Sequence, residues 1–166
     1  MSGWDGQVKQ DHEDLDAEVK MLGELLASKP DGAQPRWGAL SHLVIRSLGP
    51  QLEIHLRKEE QILFPALEKL SGRKLEDLQL LIIQHEKLRT SLRQLANRLA
   101  EPRRQDVAWD KVSQAARDFM ETLSEHERQE ERLVKTALES ALKPAELVKL
   151  AEGFHQVAWK AFQEEL

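Results

Sequence analysis

Apolar side chains recur every three or four residues along four long stretches of this chain. The stretches run over about 5–27, 35–70, 75–100 and 107–142. This spacing places the apolar residues on one face of an α-helix, so each stretch is predicted to be an amphipathic helix that buries that face. Helix breakers are few, with 8 Gly and 6 Pro, and helix-forming residues dominate the rest. An all-α fold is therefore expected.

The connections between the four predicted helices are short or of medium length and contain Gly or Pro. Such connections bring each helix back beside its predecessor, which predicts an antiparallel up-down-up-down four-helix bundle over about 5–142. A shorter fifth helix, at about 144–166, has a broad apolar surface. It is expected to cap the bundle or a partner subunit, and it is a candidate homo-oligomer interface. The whole chain, 1–166, is the size of a single domain.

Two prolines interrupt the second predicted helix. Pro50 follows Gly49, and Pro65 lies fifteen residues later. Proline lacks an amide proton and its ring collides with the preceding turn, so Gly49-Pro50 is expected to kink or break the helix. Between the two prolines, His55 and Glu59 are four residues apart, and this spacing directs both side chains to one face.

Composition excludes several classes of partner. The formal net charge is -5, and the basic residues are dispersed among acidic ones, which argues against a nucleic-acid partner. No apolar run approaches the roughly 20 residues that span a bilayer, and the polar N-terminus does not resemble a signal peptide, so a cytoplasmic, non-membrane protein is expected. The chain has no cysteine. Any metal ion must therefore be bound by nitrogen and oxygen.

Each of the four long predicted helices carries one histidine near the middle of its apolar stripe. These residues are His12, His55, His85 and His126. Glu59 and Glu130 follow two of them by four residues. In an antiparallel bundle, mid-stripe residues meet at one level of the core, where imidazoles without partners would be costly. Imidazole nitrogen and carboxylate oxygen suit iron, so all six residues are predicted metal ligands.

Four short strings around these histidines carry a family resemblance. They are Asp11-His12, His55-Leu56-Arg57-Lys58-Glu59-Glu60 with Ile62-Leu63-Phe64-Pro65, Gln84-His85-Glu86, and His126-Glu127-Arg128-Gln129-Glu130-Glu131. Together they resemble the hemerythrin-like, or HHE cation-binding, domains over about residues 5–140. The resemblance implies two non-haem iron ions in a four-helix bundle, with an oxo or hydroxo bridge and two bridging glutamates, Glu59 and Glu130.

Two positions depart from the pattern of the oxygen-carrying hemerythrins. Those proteins have a second histidine four residues after the first in helix three, and this chain has Arg89 there. The site therefore resembles one with six protein ligands. They also have an aspartate five residues after the last histidine, and this chain offers Glu130 at four and Glu131 at five. The repeated spacing of His55 and Glu59 favours Glu130.

The remaining polar residues have structural interpretations. Arg89 is expected to face solvent, with a cation near a bridging carboxylate as the alternative. His42 is expected at the surface or beside the ligands, and His155 is expected to be structural. Solvated helix faces with helical ion pairs are expected for Glu60, Glu127 and Glu131.

Other metals and another type of site remain as alternatives. Zinc and manganese also accept nitrogen and oxygen ligands, although iron fits this ligand set better. A ferritin-like centre would need two Glu-x-x-His motifs. The only such motif runs from Glu152 to His155, in the short fifth helix.

Three functions are compatible with a site of this kind. The favoured one is a di-iron protein that binds or senses a small diatomic or reactive species such as oxygen, nitric oxide or peroxide. A second is a di-iron enzyme that reduces one of these molecules or donates iron for the repair of iron centres. A third is an interaction protein in which the metal only stabilises the fold. The catalytic residues of such an enzyme are not indicated by the sequence.

Overall fold

The structure, a computed structural model, describes residues 4–27, 37–71, 76–100, 105–141 and 144–164. Every residue in these ranges is helical, and no strand lies within them. The prediction of an all-α fold is confirmed. The five helices are α1 (Trp4–Ala27), α2 (37–71), α3 (Glu76–Ala100), α4 (Gln105–Ala141) and α5 (Pro144–Glu164).

Helix α2 continues through both of its prolines. It alternates between α-helical and π-helical segments, which are Trp37–His42 (α), Leu43–Leu48 (π), Gly49–Lys58 (α), Glu59–Leu63 (π) and Phe64–Ser71 (α). At the end of each π segment an amide bonds the carbonyl five residues earlier. Gly49 N–H donates to Val44 O, and Phe64 N–H donates to Glu59 O. Such wide turns are rare and are found mostly as single insertions within α-helices.

The positions of the two π segments follow from the prolines. Leu48 and Leu63, the last residues of these segments, each lie two residues before a proline. A proline ring collides with the carbonyl four residues earlier, and a wider turn gives that carbonyl room. Of the two outcomes expected at Gly49-Pro50, a kink or a break, the break does not occur, because the chain remains helical there.

Two apolar clusters fill the interior of the bundle. The large cluster includes Leu15, Leu22, Leu48, Leu52, Leu88, Leu95, Phe119 and Leu123. Within it, the rings of Trp37 and Trp109 pack edge to face, with their centroids 5.6 Å apart. The small cluster consists of Leu63, Phe64, Leu67, Leu78, Leu81 and Phe154, with Val8 and Leu133 packed against it. Ile82 is apolar but 41% exposed, because the buried stripe through Leu81 and His85 leaves it at the edge.

The predicted ligands lie between these two clusters on all four long helices. His12, His55, His85 and His126 each fall between a residue of the large cluster and a residue of the small one. These flanking pairs are Leu15 and Val8 on α1, Leu52 and Leu63 on α2, Leu88 and Leu81 on α3, and Leu123 and Leu133 on α4. The interior is thus a polar layer enclosed between two apolar layers.

Helix α5 packs against α1 and against residues 49–63 of α2. Its residues Phe154, Val157 and Ala161 are buried at helical spacing, whereas Trp159 is exposed. At Gly153 the backbone comes so near α2 that an added Cβ would lie 2.9 Å from Cγ2 of Ile62. The fifth helix therefore covers its own bundle. None of the described helices is long and apolar enough to cross a membrane.

Candidate metal centre

Glu59 lies at the centre of the polar layer, at the first residue of the second π segment. Its Oε1 is 2.7 Å from Nε2 of His55 and 3.9 Å from Nε2 of His12. Its Oε2 is 2.9 Å from Nε2 of His85 and 3.4 Å from Nε2 of His126. One carboxylate oxygen therefore faces the histidines of α1 and α2, and the other faces the histidines of α3 and α4.

The six predicted residues form two groups that share Glu59. Within each group the nitrogen and oxygen atoms all lie within 4.8 Å of one another. The groups are His12, His55, Glu59 and Glu130, and Glu59, His85 and His126. Glu130 joins the first group through its Oε2, which is 3.0 Å from Nε2 of His12. The structure thus brings all six residues together but divides them unequally, four and three.

Burial differs between the members of the two groups. Glu59, His85, His126 and Glu130 are almost fully buried, and His55 is nearly so. The side chain of His12 is 21% exposed. Glu130 lies in the core, whereas Glu131, the alternative considered for the ligand on α4, is exposed. The edge of the centre that approaches solvent is therefore the α1 edge.

Most of the polar atoms that face this centre lack a hydrogen-bond partner, and the exceptions are His85 Nε2 and Glu59 Oε2, which bond each other. Buried atoms without a partner include His12 Nε2, His55 Nε2, His126 Nε2, Glu59 Oε1 and both carboxylate oxygens of Glu130. A buried polar atom without a partner costs on the order of 1–3 kcal/mol. A metal ion accepts lone pairs from imidazole nitrogen and carboxylate oxygen, so it would satisfy these atoms together. The residues present therefore fit a metal cation.

In the absence of metal, the electrostatics of the centre favour protons on its histidines. Burial alone would lower the pKa of His12, but the nearby carboxylates of Glu130 and Glu59, Glu130 foremost, outweigh it and raise the pKa to about 11. For His55, burial is likewise outweighed, chiefly by the charge of Glu59, and the pKa rises to about 10. A metal ion must displace these protons, so metal uptake should release protons.

The two carboxylates of the centre differ in their ionisation. Burial opposes the charged form of Glu59, but the surrounding histidines, His55 foremost, hold its pKa well below the usual range. Burial also raises the pKa of Glu130, and the nearby negative charge of Glu59 raises it further. Glu59 is therefore the carboxylate that stays ionised between the two histidine pairs.

Three of the four histidines turn their second nitrogen toward a polar side chain outside the centre. His85 Nδ1 lies 2.7 Å from Oε1 of Glu60, and His126 Nδ1 lies 3.3 Å from Oε1 of Gln84. His55 Nδ1 lies 4.0 Å from Oδ2 of Asp11. Such outer partners fix the orientation of a ligating imidazole and raise its basicity as a ligand.

Arg89 belongs to this outer layer, and the expectation that it faces solvent is wrong. Its Nη1 donates to Glu60 Oε1 at 2.8 Å, and its Nε donates to Glu53 Oε2 at 2.9 Å. Glu60 was expected on a solvated face, yet it joins Arg89 to His85. The spacing of four residues between His85 and Arg89 could have indicated a shared face. The partners on α2 could be identified only from the packed structure.

Four further polar residues, Glu127, Asp11, His42 and His155, differ in how they lie relative to the centre. Glu127 is not a solvated residue, because it is half-buried with its Oε1 unpartnered, and burial raises its pKa to about 7. Asp11, part of the quoted Asp11-His12 string, accepts hydrogen bonds at 2.7 and 2.9 Å from Nζ of Lys58. His42 and His155 are exposed and belong to neither ligand group.

Comparison with known proteins gives one result. The chain matches the model of the hemerythrin HHE cation-binding domain over residues 6–138. No curated protein and no solved structure matches it significantly. The matched range contains all six residues of the two groups and ends before α5. The chain belongs to the hemerythrin HHE cation-binding domain family.

Proposed function

We propose that this protein binds two iron ions between its apolar clusters and uses them to bind or sense a small molecule. In this proposal His12 and His55 bind one ion, His85 and His126 bind the other, and Glu59 bridges the two. The observation that carries the proposal is the position of Glu59, since each of its oxygens faces a different pair of histidines. Family membership supports a bound metal cation.

Iron is proposed over zinc and manganese because of the ligand set. Each proposed ion has two imidazoles and at least one carboxylate, and a carboxylate shared between two ions is typical of di-iron sites in helical bundles. When bound, such an ion pair supplies redox chemistry and free coordination positions for oxygen, nitric oxide or peroxide. An oxo or hydroxo bridge between the ions is part of this proposal.

The two ions are proposed to differ in how many protein atoms they bind. Glu130 lies with the histidines of α1 and α2 and not with those of α3 and α4. The ion at His85 and His126 would then have more positions left for an external molecule. Arg89 supplies no ligand there, since its protonated guanidinium has no lone pair to offer and donates to Glu60, Glu53 and Glu86.

A small pocket lies on the outer side of His55, where its Nδ1 faces Asp11. A cavity of about 200 Å³ lies between α1 and α2, and His55 forms part of its lining together with Asp11 and Lys58. Liquid water occupies about 30 Å³ per molecule, so the cavity admits a few molecules of that size.

The arrangement of the helices is proposed to be an up-down-up-down bundle within a single domain. Contacts between neighbouring helices support it, because residue numbers rise along one helix as they fall along the next. The contacts join Asp11 to Lys58 and Glu18 to Ser47, and Glu60 to His85 and Glu53 to Arg89. Between α3 and α4, Leu81 lines a pocket with Leu133, and Lys87 lines another with Glu121. Helix α5 would complete the same domain as a cover over α1 and α2.

The proposed function is tested by ligand titration of the iron-loaded protein. Nitric oxide is added to the reduced form and azide to the oxidised form, under anaerobic conditions, while absorption and electron paramagnetic resonance spectra are recorded. We expect saturable spectral changes for both. Zinc-loaded protein is the control and should show none. If neither nitric oxide nor azide changed the spectra of the iron-loaded protein, a ligand-binding function would be contradicted, whereas metal binding would not.

A further inference from the structure

We propose that Arg89, Glu60 and Glu53 act as positioning residues for His85 and set how strongly this histidine binds its ion. The inference rests on the proposed function, since it concerns one ligand of the proposed centre. None of these three residues is a ligand in the proposed centre. We call the three residues the Arg89 array.

The Arg89 array holds His85 by its outer nitrogen. Nε2 of His85 faces Glu59 Oε2 at 2.9 Å, and Nδ1 faces Glu60 Oε1 at 2.7 Å. The ring of Phe64 stacks on the imidazole, with the two ring centroids 5.3 Å apart. With both nitrogens and one face of the ring occupied, the imidazole has one orientation. When Nε2 binds a metal ion, Nδ1 keeps its proton and donates it to Glu60.

Arg89 in turn compensates the negative charge of Glu60. It donates to both oxygens of Glu60, at 2.8 Å from Nη1 and 3.2 Å from Nη2. Its Nε donates to Glu53 at 2.9 Å, so the guanidinium is held by two residues of α2 that lie seven positions apart. A carboxylate that is already paired with a guanidinium attracts the proton of His85 less than a free one would. The array therefore moderates the electron donation from His85 to its ion.

The neighbouring histidines have different outer partners. His126 faces the neutral amide oxygen of Gln84, and Gln84 donates onward to Gln129. His55 faces Asp11 at the longer distance of 4.0 Å. Within the described contacts, His85 has the shortest separation from a carboxylate outside the centre. The ion proposed to have fewer protein ligands is thus bound by His85, the histidine whose outer nitrogen has the closest carboxylate partner, Glu60.

Two substitutions separate an electronic role from a structural one. Glu60→Gln retains an oxygen acceptor but removes the negative charge, so His85 should become a weaker donor and the reduction potential of the iron centre should rise. Arg89→Gln leaves Glu60 unpaired, so His85 should become a stronger donor and the potential should fall. Metal affinity should drop by about 10- to 100-fold in Glu60→Gln, the range typical of lost outer partners. Arg89→Lys should restore part of the wild-type potential.

The matched control is Glu86→Gln. Glu86 contacts Arg89 at 2.9 Å but is largely exposed and does not contact His85, so its loss should leave the potential and the metal affinity unchanged. A second readout uses zinc-loaded protein and the ¹⁵N and ¹H signals of the His85 Nδ1–H group. These signals should move in opposite directions in Glu60→Gln and Arg89→Gln.

The outcomes distinguish this inference from the proposed function. Opposite shifts of the potential and of the Nδ1–H signals in the two variants support the array. Equal shifts, or a lower melting temperature with no change in either property, would overturn it while the wild-type protein still holds two ions. Failure of the wild-type protein to bind iron would instead contradict the proposed function, and the zinc-loaded signals would still decide the role of the array.

Discussion

Oε1 of Glu59 lies 2.7 Å from Nε2 of His55, one helical turn earlier in α2. The pair lies where the α-helix gives way to the second π segment. The wide turn begins at Glu59, whose carboxylate lies in the middle of the bundle, where its other oxygen meets the histidines of α3 and α4. π-helical turns occur frequently at functional sites, and here the turn carries the one residue common to both ligand groups.

The first prediction concerns the unequal roles of the two carboxylates. Glu59→Ala should release both ions, because Glu59 is the member shared by both groups. Glu130→Ala should weaken chiefly the ion at His12 and His55, since Glu130 lies with that pair. Iron content measured after dialysis tests this. Glu131→Ala is the control, because Glu131 is exposed. Iron loss in the control with retention in Glu130→Ala would mean that the α4 ligand is misassigned by one position.

A second prediction couples metal binding to stability. Metal that binds only the folded state stabilises it, by about 2.7 kcal/mol when free metal exceeds the Kd 100-fold. In a chain of this size that corresponds to a rise in melting temperature of roughly 5–10 °C. Calorimetry of the metal-free and iron-loaded forms measures it. His42→Ala should keep the full rise and His126→Ala should lose most of it. Equal melting temperatures for the two wild-type forms would count against a shared buried site.

The third prediction is the pH dependence of the metal-free protein. The pKa values of His12 and His55 are raised from an ordinary 6.5 to about 11 and about 10. A raised histidine pKa stabilises the fold fully below the unfolded value, and this stability is lost as the pH rises toward the folded value. Glu127, with its pKa raised from 4.5 to about 7, acts in the same direction at lower pH.

The groups whose pKa is lowered determine how the stability of the metal-free protein changes at acid pH. The pKa of Glu60, where burial is outweighed by hydrogen bonds from His85 and Arg89, falls from 4.5 to about 2. Stability from Glu60 is present above 4.5 and is lost as the pH falls. Urea unfolding of the metal-free protein should therefore show maximal stability at about pH 5 and a steady decline toward about pH 10. Stability that increases from neutral to alkaline pH would contradict the charge arrangement described here.

The fourth prediction tests the packing of α5 on α2. An alanine Cβ at position 153 would lie 2.9 Å from Cγ2 and 3.0 Å from Cδ1 of Ile62, and overpacking of this kind costs about 1–3 kcal/mol. This should exceed the gain of about 1 kcal/mol that alanine brings to a helix. Gly153→Ala should therefore lower the free energy of unfolding.

The control for this prediction is Gly23→Ala in α1. Nothing lies within 4 Å of the added methyl group there, so the substitution should stabilise the protein by up to about 1 kcal/mol. A double-mutant cycle with Ile62→Ala identifies the clash, since the cost of Gly153→Ala should largely vanish when Ile62 is shortened. Stabilisation by Gly153→Ala alone would mean that α5 does not approach α2 this closely.

Much of the arrangement could be predicted from the sequence because it depends on local periodicity. The spacing of three and four residues predicted the helices. It also placed His12, His55, His85 and His126 on inward faces, where the structure brings them together. The spacing of Glu130 from His126 favoured it over Glu131, and Glu130 is the one that is buried. Each of these inferences needs only one helix and its own face.

The features that the sequence did not predict depend on contacts between helices. The array of Arg89, Glu60 and Glu53 joins α3 to α2, and no pattern within either helix identifies a partner on the other. The π segments also escaped prediction. Pro50 was expected to kink or break the helix, whereas a helix that is packed on several sides accommodates Pro50 with a wider turn.

The most direct test of this account is the metal content and spectrum of one purified protein. The metal-free protein is loaded anaerobically with ferrous iron, freed of excess metal and then oxidised, and iron per chain is measured together with the absorption and Mössbauer spectra. The account predicts about two iron atoms per chain and spectra of a coupled di-ferric pair, both lost in Glu59→Ala. One iron atom per chain or fewer, or two uncoupled iron atoms that survive Glu59→Ala, would contradict a dinuclear centre bridged by Glu59.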